Sequence, residues 1–206
     1  MLCVRDVLTM GKTVVILNSP PYSGKDTIAN LMAEELQASK QEFKEALYEE
    51  TAKHYEVNVH YFTFIATSRK YKDNLLSVFS KKPKSFGFGV TPRDALIHVS
   101  EDIIKPRHGA DYFGKRAAEK LTEGLNVFSD GGGWWNELTP VSMAADKTII
   151  CRLYRHGFTF DGDSRQYYDT DTLPDSLKDS ITICDIHLED GKPQAAIDSI
   201  KILLRS

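Results

Sequence analysis

The sequence predicts a three-layer α/β fold built on a parallel central sheet. Three observations carry that expectation. Four apolar runs rich in β-branched residues read as strands covered on both faces. Helical periodicity occupies most of the chain between them. The first run leads directly into a loop of small and turn-forming residues, and then into a helix.

The four runs are Thr13 to Leu17, Leu125 to Phe128, Thr148 to Leu153 and Ile181 to Cys184. A fifth, short strand is expected near Lys40 to Phe43. Ile28, Leu31, Met32 and Leu36 form the apolar stripe of a helix after the first strand, and Leu47, Ala52 and Tyr55 suggest a second. Thr91-Pro92-Arg93-Asp94 has the grammar of a helix start: a threonine cap, proline at the first helical position, and a carboxylate three residues after the cap. The stripe that follows is Ala95, Leu96, Val99 and Ile103. A last helix carries Ala196, Ile200, Leu203 and Leu204. Far more residues separate the first strand from the Leu125 strand than a crossover needs, so an inserted flap is expected at about residues 40–115. The stretch Lys81 to Gly89 reads as a solvated basic loop.

Length and composition narrow the class. A chain of 206 residues suits one domain with room for such a flap. The formal net charge of -3 supplies no overall basic field of the kind that draws nucleic acid, although a local basic face is compatible with it. No apolar stretch reaches spanning length, so no membrane partner is expected. The first ten residues carry Arg5 and Asp6 and lack a long apolar run, which argues against a secretory signal and for a cytoplasmic location. Met10, directly before the first strand, is a second candidate start. Cys3, Cys151 and Cys184 are too few and too scattered for a disulfide framework. Cys151 and Cys184 lie inside apolar runs and read as reduced core residues. The six histidines show no metal-ligand spacing.

The chemistry lies in Asn18-Ser19-Pro20-Pro21-Tyr22-Ser23-Gly24-Lys25-Asp26-Thr27. A strand, a tight loop and Gly-Lys at a helix N-terminus form an anion site. The free N–H groups of the first turn and the helix dipole favour phosphate there. Gly24 lets the backbone approach the anion, and Lys25 reaches the β- and γ-phosphates as a point charge. The pattern departs from the usual phosphate loop at two places. Ser19 stands where glycine opens the loop, and Asp26 follows the lysine, with Thr27 one step later.

Ser23-Gly24-Lys25-Asp26-Thr27 resembles the phosphate loop of the deoxynucleoside monophosphate kinases of tailed phages, within the wider P-loop nucleoside monophosphate kinase group. Thr91 to Leu96, continuing to Asp111-Tyr112-Phe113, is similar to that family's acceptor-side helix. Phe128-Ser129-Asp130-Gly131 resembles its second catalytic strand end. Arg152 to Gly157, with Gly162-Asp163-Ser164-Arg165, is similar to its lid. The resemblance runs from Thr13 to about Tyr168. It implies a single P-loop kinase domain with a helical acceptor-binding insertion and a short lid at about residues 155–172. The implied activity transfers the ATP γ-phosphoryl group to a deoxynucleoside monophosphate with Mg²⁺, in a host cytoplasm if the chain is phage-encoded. Small nucleotides are the expected partners, and a homodimer is left open.

The residue roles follow. Lys25, Asp130, Arg155 and Arg165 are the catalytic candidates, because charge aimed at the transferring phosphoryl group acts directly on the barrier. Ser19, Tyr22, Ser23, Gly24, Lys25, Asp26, Thr27 and Arg152 are candidates for holding ATP. Thr27 and Asp130 are candidates for Mg²⁺, directly or through water. Ordinary alternatives are a helix-start hydroxyl for Thr27 and a turn cap for Asp130. Arg93 is expected to clamp the acceptor phosphate, aided by free N–H groups in its helix turn. Lys44, Tyr48, Trp134 and Asp130 are further acceptor-side candidates, although aromatic residues more often pack than bind. Two other readings stay open. One is a P-loop kinase acting on a hydroxyl, such as a hydroxymethyl-pyrimidine in phage DNA or a small metabolite. The other is a nucleotide-binding module without turnover.

Overall fold

The computed structural model describes residues 11–68, 70–74 and 90–205. Cys3, Met10 and the basic stretch from Lys81 to Gly89 lie outside the described residues. The chain divides into two compact units. One comprises residues 1–43 and 114–206, and the other Lys44–Phe113.

The first unit is the predicted three-layer α/β domain. Among the described residues its five strands are β1 (Lys12–Asn18), β2 (Ser39–Gln41), β3 (Gly124–Phe128), β4 (Lys147–Arg155) and β5 (Ile181–Leu188). They pair in the order β2-β3-β1-β4-β5, and every pairing is parallel. The fold is of the P-loop kinase type. Alternation along β1 shows why the sheet needs cover on both sides. Val15 and Leu17 pack with Ile28, Ala29 and Met32 of α1 (Lys25–Leu36) and with Ile197 and Ile200 of α8 (Pro193–Arg205). Val14 and Ile16 face the other way, onto Ala117 of α6 (Tyr112–Glu119) and Leu138 and Val141 of α7 (Trp135–Met143). Successive side chains on a strand point to opposite faces, so a continuous apolar run suits two helical layers.

Two strands differ from expectation. The short strand ends at Gln41, and Phe43 leaves the sheet to stack on Phe128 at 4.6 Å between ring centroids. β5 runs four residues beyond Cys184 but lies at the sheet edge, where Ile186 is its one fully buried residue. An edge strand has a neighbour on one side only, so its apolar residues receive partial cover.

The second unit is helical. It holds α2 (Lys44–Tyr55), α3 (Val59–Thr67), α4 (Pro92–Ile97) and α5 (Lys105–His108), and its boundary with the first unit falls within α6. Tyr48, Ala52, Tyr55, Phe62, Val90, Ala95 and Val99 make its core. α4 starts as the sequence predicts. Thr91 accepts from the Asp94 N–H, and the Asp94 carboxylate accepts from the Thr91 N–H, a complete capping box. The predicted stripe then slips. A π-helical turn, His98–Ile104, connects α4 to α5, with the Lys105 N–H bonded to Ser100 five residues back. The wider turn brings Ile104 to full burial, while Ile103 packs only partly. Pro106 follows at once and has no N–H to offer a tighter ladder.

The cap makes a local prediction. Thr91→Ala should destabilise by about 1 kcal/mol, and Thr91→Ser should recover most of it. Amide exchange of α4 and the π turn reads the loss directly. Unchanged protection in Thr91→Ala would mean that tertiary packing alone holds this helix start.

Candidate functional site

The phosphate loop joins β1 to α1. Gly24 is the residue before the helix and sits at φ 108°, a left-handed conformation that a side chain would strain. Gly24, as the N-cap residue of α1, supplies no side-chain cap, and Asp26 and Thr27 are exposed in the first turn. Ser19 and Ser23 are buried, and their hydroxyls meet at 2.5 Å across the base of the loop. The Ser23 hydroxyl also donates to the carbonyl of Pro20. Serine in place of the opening glycine thus closes the loop through its hydroxyl. Lys25 is 8% exposed, and its ammonium donates to the Pro20 carbonyl at 3.2 Å. Tyr22 holds φ 63° without being glycine and leaves 60% of its surface in solvent at the loop tip.

Three segments meet at this end of the sheet. The first is the end of β4. Arg155 donates through Nη1 to the carbonyl of Ser23 at 3.4 Å and through Nε to Asp190 at 2.8 Å. Its guanidinium lies over the Phe158 ring, 4.9 Å from the centroid. The second is the stretch after β4. Arg165 forms a fork on Asp163, with Nε at 2.9 Å and Nη2 at 2.7 Å from the two oxygens. That hydrogen-bonded partner holds the guanidinium charged against its partial burial, and Asp130 and Asp26 add to the negative field around it. That fork lies within the expected polar loop; the segment is tied down just beyond it, where the Gln166 N–H donates to the Gly132 carbonyl and Tyr168 is fully buried. The third is the turn after β3. Asp130 accepts from the Phe43 N–H at 3.2 Å, so one of its oxygens serves the backbone after β2. Gly133, at φ 83°, lies against the Gln166 carbonyl, where no Cβ fits. Trp134 lies over Gly132 and remains 36% exposed.

Asn18 organises this end of the sheet, a role that its place at the head of the motif did not reveal. It is fully buried at the end of β1. Its amide donates to the carbonyls of Gly131 and Gln166 at 3.1 and 3.0 Å, and its oxygen accepts from the Tyr168 N–H at 2.9 Å. A polar residue closing an otherwise apolar strand was the available signal. The carboxylate partners Asp163, Asp185 and Asp190 were also missed. Only Asp163 lies near its arginine in sequence.

Arg152 donates through Nε and Nη2 to both oxygens of Asp185 and through Nη1 to the Tyr168 carbonyl. These contacts tie β4 to β5 and to the segment leading from Arg165.

The other acceptor-side candidates lie in the helical unit. Lys44 opens α2, and Tyr48 is packed in the core with its ring edge toward Phe62. Arg93 is exposed, and its guanidinium lies 3.7 Å from Asp73. The expected free N–H groups beside it are not there. Pro92 has none, the Arg93 N–H donates to Lys72, and the Asp94 N–H donates to Thr91. The capping box takes the Asp94 N–H and the Lys72 carbonyl takes the Arg93 N–H, which leaves the Arg93 guanidinium as the group to act there.

Among the described residues no group of three or more His, Cys, Asp or Glu forms a metal cage. Asp26 and Asp130 both act on Arg165. Two carboxylates and the Thr27 hydroxyl fit a hard cation carried mainly by phosphate oxygens, as Mg²⁺ commonly is. Among the described residues no helix is long and apolar enough to cross a membrane.

No family model matches the chain, and no curated protein does. Solved structures with related folds include the shikimate kinase of Aquifex aeolicus, 13% identical, with 94% of this chain and 96% of that chain covered and a TM-score of 0.42. Another is the shikimate kinase of Bacteroides thetaiotaomicron, at 10% identity, 95% and 99% coverage and a TM-score of 0.41. A plasmid partition protein from Borrelia burgdorferi gives 14%, 92% and 84%, and 0.39. The fold class rests on the strand order and the phosphate loop of this chain itself.

Asn18 supplies the test of this arrangement. Asn18→Leu leaves two carbonyls and one N–H without their partner in a buried setting, each worth about 1–3 kcal/mol. The expected loss is at least about 2 kcal/mol in urea unfolding, by the same reasoning. Asn18→Asp, which sets a buried carboxylate oxygen against two carbonyl oxygens, should lose at least as much. A wild-type midpoint in Asn18→Leu would remove Asn18 from this role.

Proposed function

We propose that this chain is an ATP-dependent deoxynucleoside monophosphate kinase. The observation that carries the phosphoryl-transfer part is the meeting of Lys25 and Arg155 on one loop. Lys25 is bonded to the Pro20 carbonyl and Arg155 to the Ser23 carbonyl. Two cations from different segments at a helix N-terminus suit a group whose negative charge spreads over its oxygens during transfer. The resemblance of the Thr91 to Phe113 segment to an acceptor-side helix supports the nucleotide acceptor.

In this reading the loop backbone and Lys25 hold the β- and γ-phosphates. Arg155 exchanges its Ser23 carbonyl contact for the transferring phosphoryl group. Arg165 stays on Asp163 and presents its remaining donors. Arg93 holds the acceptor phosphate through its guanidinium alone, since the exposed contact with Asp73 is worth little and is readily displaced. The acceptor phosphate is already ionised near neutral pH, so attack needs no strong base. Thr27 and Asp130, with Asp26 close by, would hold Mg²⁺, which when bound neutralises charge on the β- and γ-oxygens. A hydroxyl acceptor would need a carboxylate base, and Asp130 already spends one oxygen on the Phe43 N–H.

ADP release from ATP is to be measured with each common and modified deoxynucleoside monophosphate, and with nucleosides and hydroxymethylated DNA. Release that depends on a monophosphate supports the reading. Release that depends on a hydroxyl acceptor moves the chain to another kinase class, and ATP binding without release under any condition makes it a binding module. Lys25→Met should lower kcat by about two to three powers of ten or more, with its melting temperature retained. Full activity in that folded variant rejects the phosphate-loop assignment.

Arg93→Ala should raise KM for the monophosphate by roughly ten- to one-hundred-fold, the range for a lost hydrogen bond to a charged group. Affinity for an ATP analogue should hardly move, and Arg93→Lys should recover only part, because a point charge does not reproduce a fork. A loss confined to ATP affinity places Arg93 on the wrong side of the reaction.

A further inference from the structure

The two described cysteines are 33 residues apart in the chain and adjacent in the fold. The β4–β5 register sets Cys151 directly opposite Cys184, and their sulfurs are 3.5 Å apart. Neighbouring strands run about 4.8 Å apart, inside the range of about 4.4–6.8 Å between Cα atoms that a disulfide spans. The two thiols differ sharply in access. Cys151 is fully buried in the core between the sheet and the α1–α8 layer. Cys184 is half-buried on the edge strand and lines a cavity of about 380 Å³ between β5 and α8, bounded also by His187, Ala195, Ser199 and Leu203.

We propose that Cys151 and Cys184 form a modification site, a vicinal thiol pair that small disulfides of the glutathione type reach from the β5–α8 cavity and convert to an intrachain disulfide. Cys184 attacks first. Its thiolate displaces one thiolate from the small disulfide and forms a mixed disulfide. Cys151 then attacks the Cys184 sulfur and releases the second small thiol. Two protein thiols and one small disulfide thus give one protein disulfide and two small thiols, with both thiol protons passing to the released thiols.

The electrostatics agree with that order. With both groups protonated, the Cys184 thiol lies 3.5 Å from the Ile150 carbonyl and from the Cys151 sulfur. Once Cys184 is a thiolate, Cys151 donates to it. That hydrogen bond lowers Cys184 from the usual thiol value, against its partial burial and the nearby Asp185 carboxylate, which Arg152 partly offsets. The same bond, with burial, pushes Cys151 up. The exposed member is the better first nucleophile, and the buried one becomes reactive only when a mixed disulfide forms beside it. The next pair in the register is Arg152 and Asp185, whose fork also holds the Tyr168 carbonyl, so the modification lies one residue from a tie of the phosphate-site segment.

The test uses the full reduced chain, titrated with glutathione disulfide, alkylated and mapped by peptide mass spectrometry. A linked Cys151–Cys184 peptide is expected. The linked form should exceed the mixed disulfide by roughly ten-fold, because a thiol held beside its target acts at a high effective concentration. Cys151→Ala should stop at the mixed disulfide on Cys184. Cys184→Ala should leave Cys151 unreacted while folded, as judged by its melting curve. The proposal is overturned if the wild-type chain yields no linked peptide. It is equally overturned if Cys184 stays unmodified in folded Cys151→Ala, or if Cys151 reacts at the wild-type rate in folded Cys184→Ala. None of these readouts depends on kinase activity.

Discussion

The buried side chain of Asn18 is the constraint on which the site end of the α/β unit depends. It closes β1, precedes the first residue of the phosphate loop, and bonds the turn after β3 and the segment after β4 in the same stroke. An amide suits that task because it offers two donors and an acceptor in one plane. The backbone groups it meets belong to irregular segments that no strand ladder satisfies. A buried carbonyl left unpaired is costly, so these segments are held where the amide can reach them. Gly133 and Gln166, whose backbones meet too closely for a Cβ, are brought together at this same point.

A second theme is the pairing of arginines with carboxylates. Arg152, Arg155 and Arg165 rest on Asp185, Asp190 and Asp163. The three pairs are not equivalent. Asp190 is 84% exposed, so its hold on Arg155 is weak and the guanidinium can exchange partners at small cost. Asp163 and Arg165 are each less than a fifth exposed and bonded through a full fork, so that pair is the stiffer one. Arg152 bonds both oxygens of Asp185 and the Tyr168 carbonyl, and so ties β4 to β5. Long cationic side chains lose rotamer freedom when they bind phosphate, and a resting carboxylate removes part of that cost in advance.

Much of the fold was legible in the sequence. Thr13 to Leu17 and Thr148 to Leu153 are continuous apolar runs, and only a strand covered on both faces uses such a run in so few residues. Thr91-Pro92-Arg93-Asp94 specified its capping box because every partner lies within four residues. The stripe beyond it was misread at Ile103 because a π turn changes the period, and its cause is not visible in a pattern that assumes 3.6 residues per turn. The phosphate loop was legible for the same local reason as the cap: its chemistry depends on neighbours along the chain.

What the sequence by itself determined is therefore short-range: strand and helix identity, the helix start at Thr91, and the loop that ends in Gly24-Lys25. What only the tertiary structure decided is long-range. The sheet order put Cys151 beside Cys184 and left β5 at an edge. It gave Arg155 the Ser23 carbonyl and Arg152 the Asp185 carboxylate across separations of 132 and 33 residues. In the helical unit, tertiary packing set the Lys72 carbonyl on the Arg93 N–H. Local patterns encode backbone geometry within a few residues, whereas the partner of a buried polar group is set by register and layer order, which emerge only when the whole sheet is assembled.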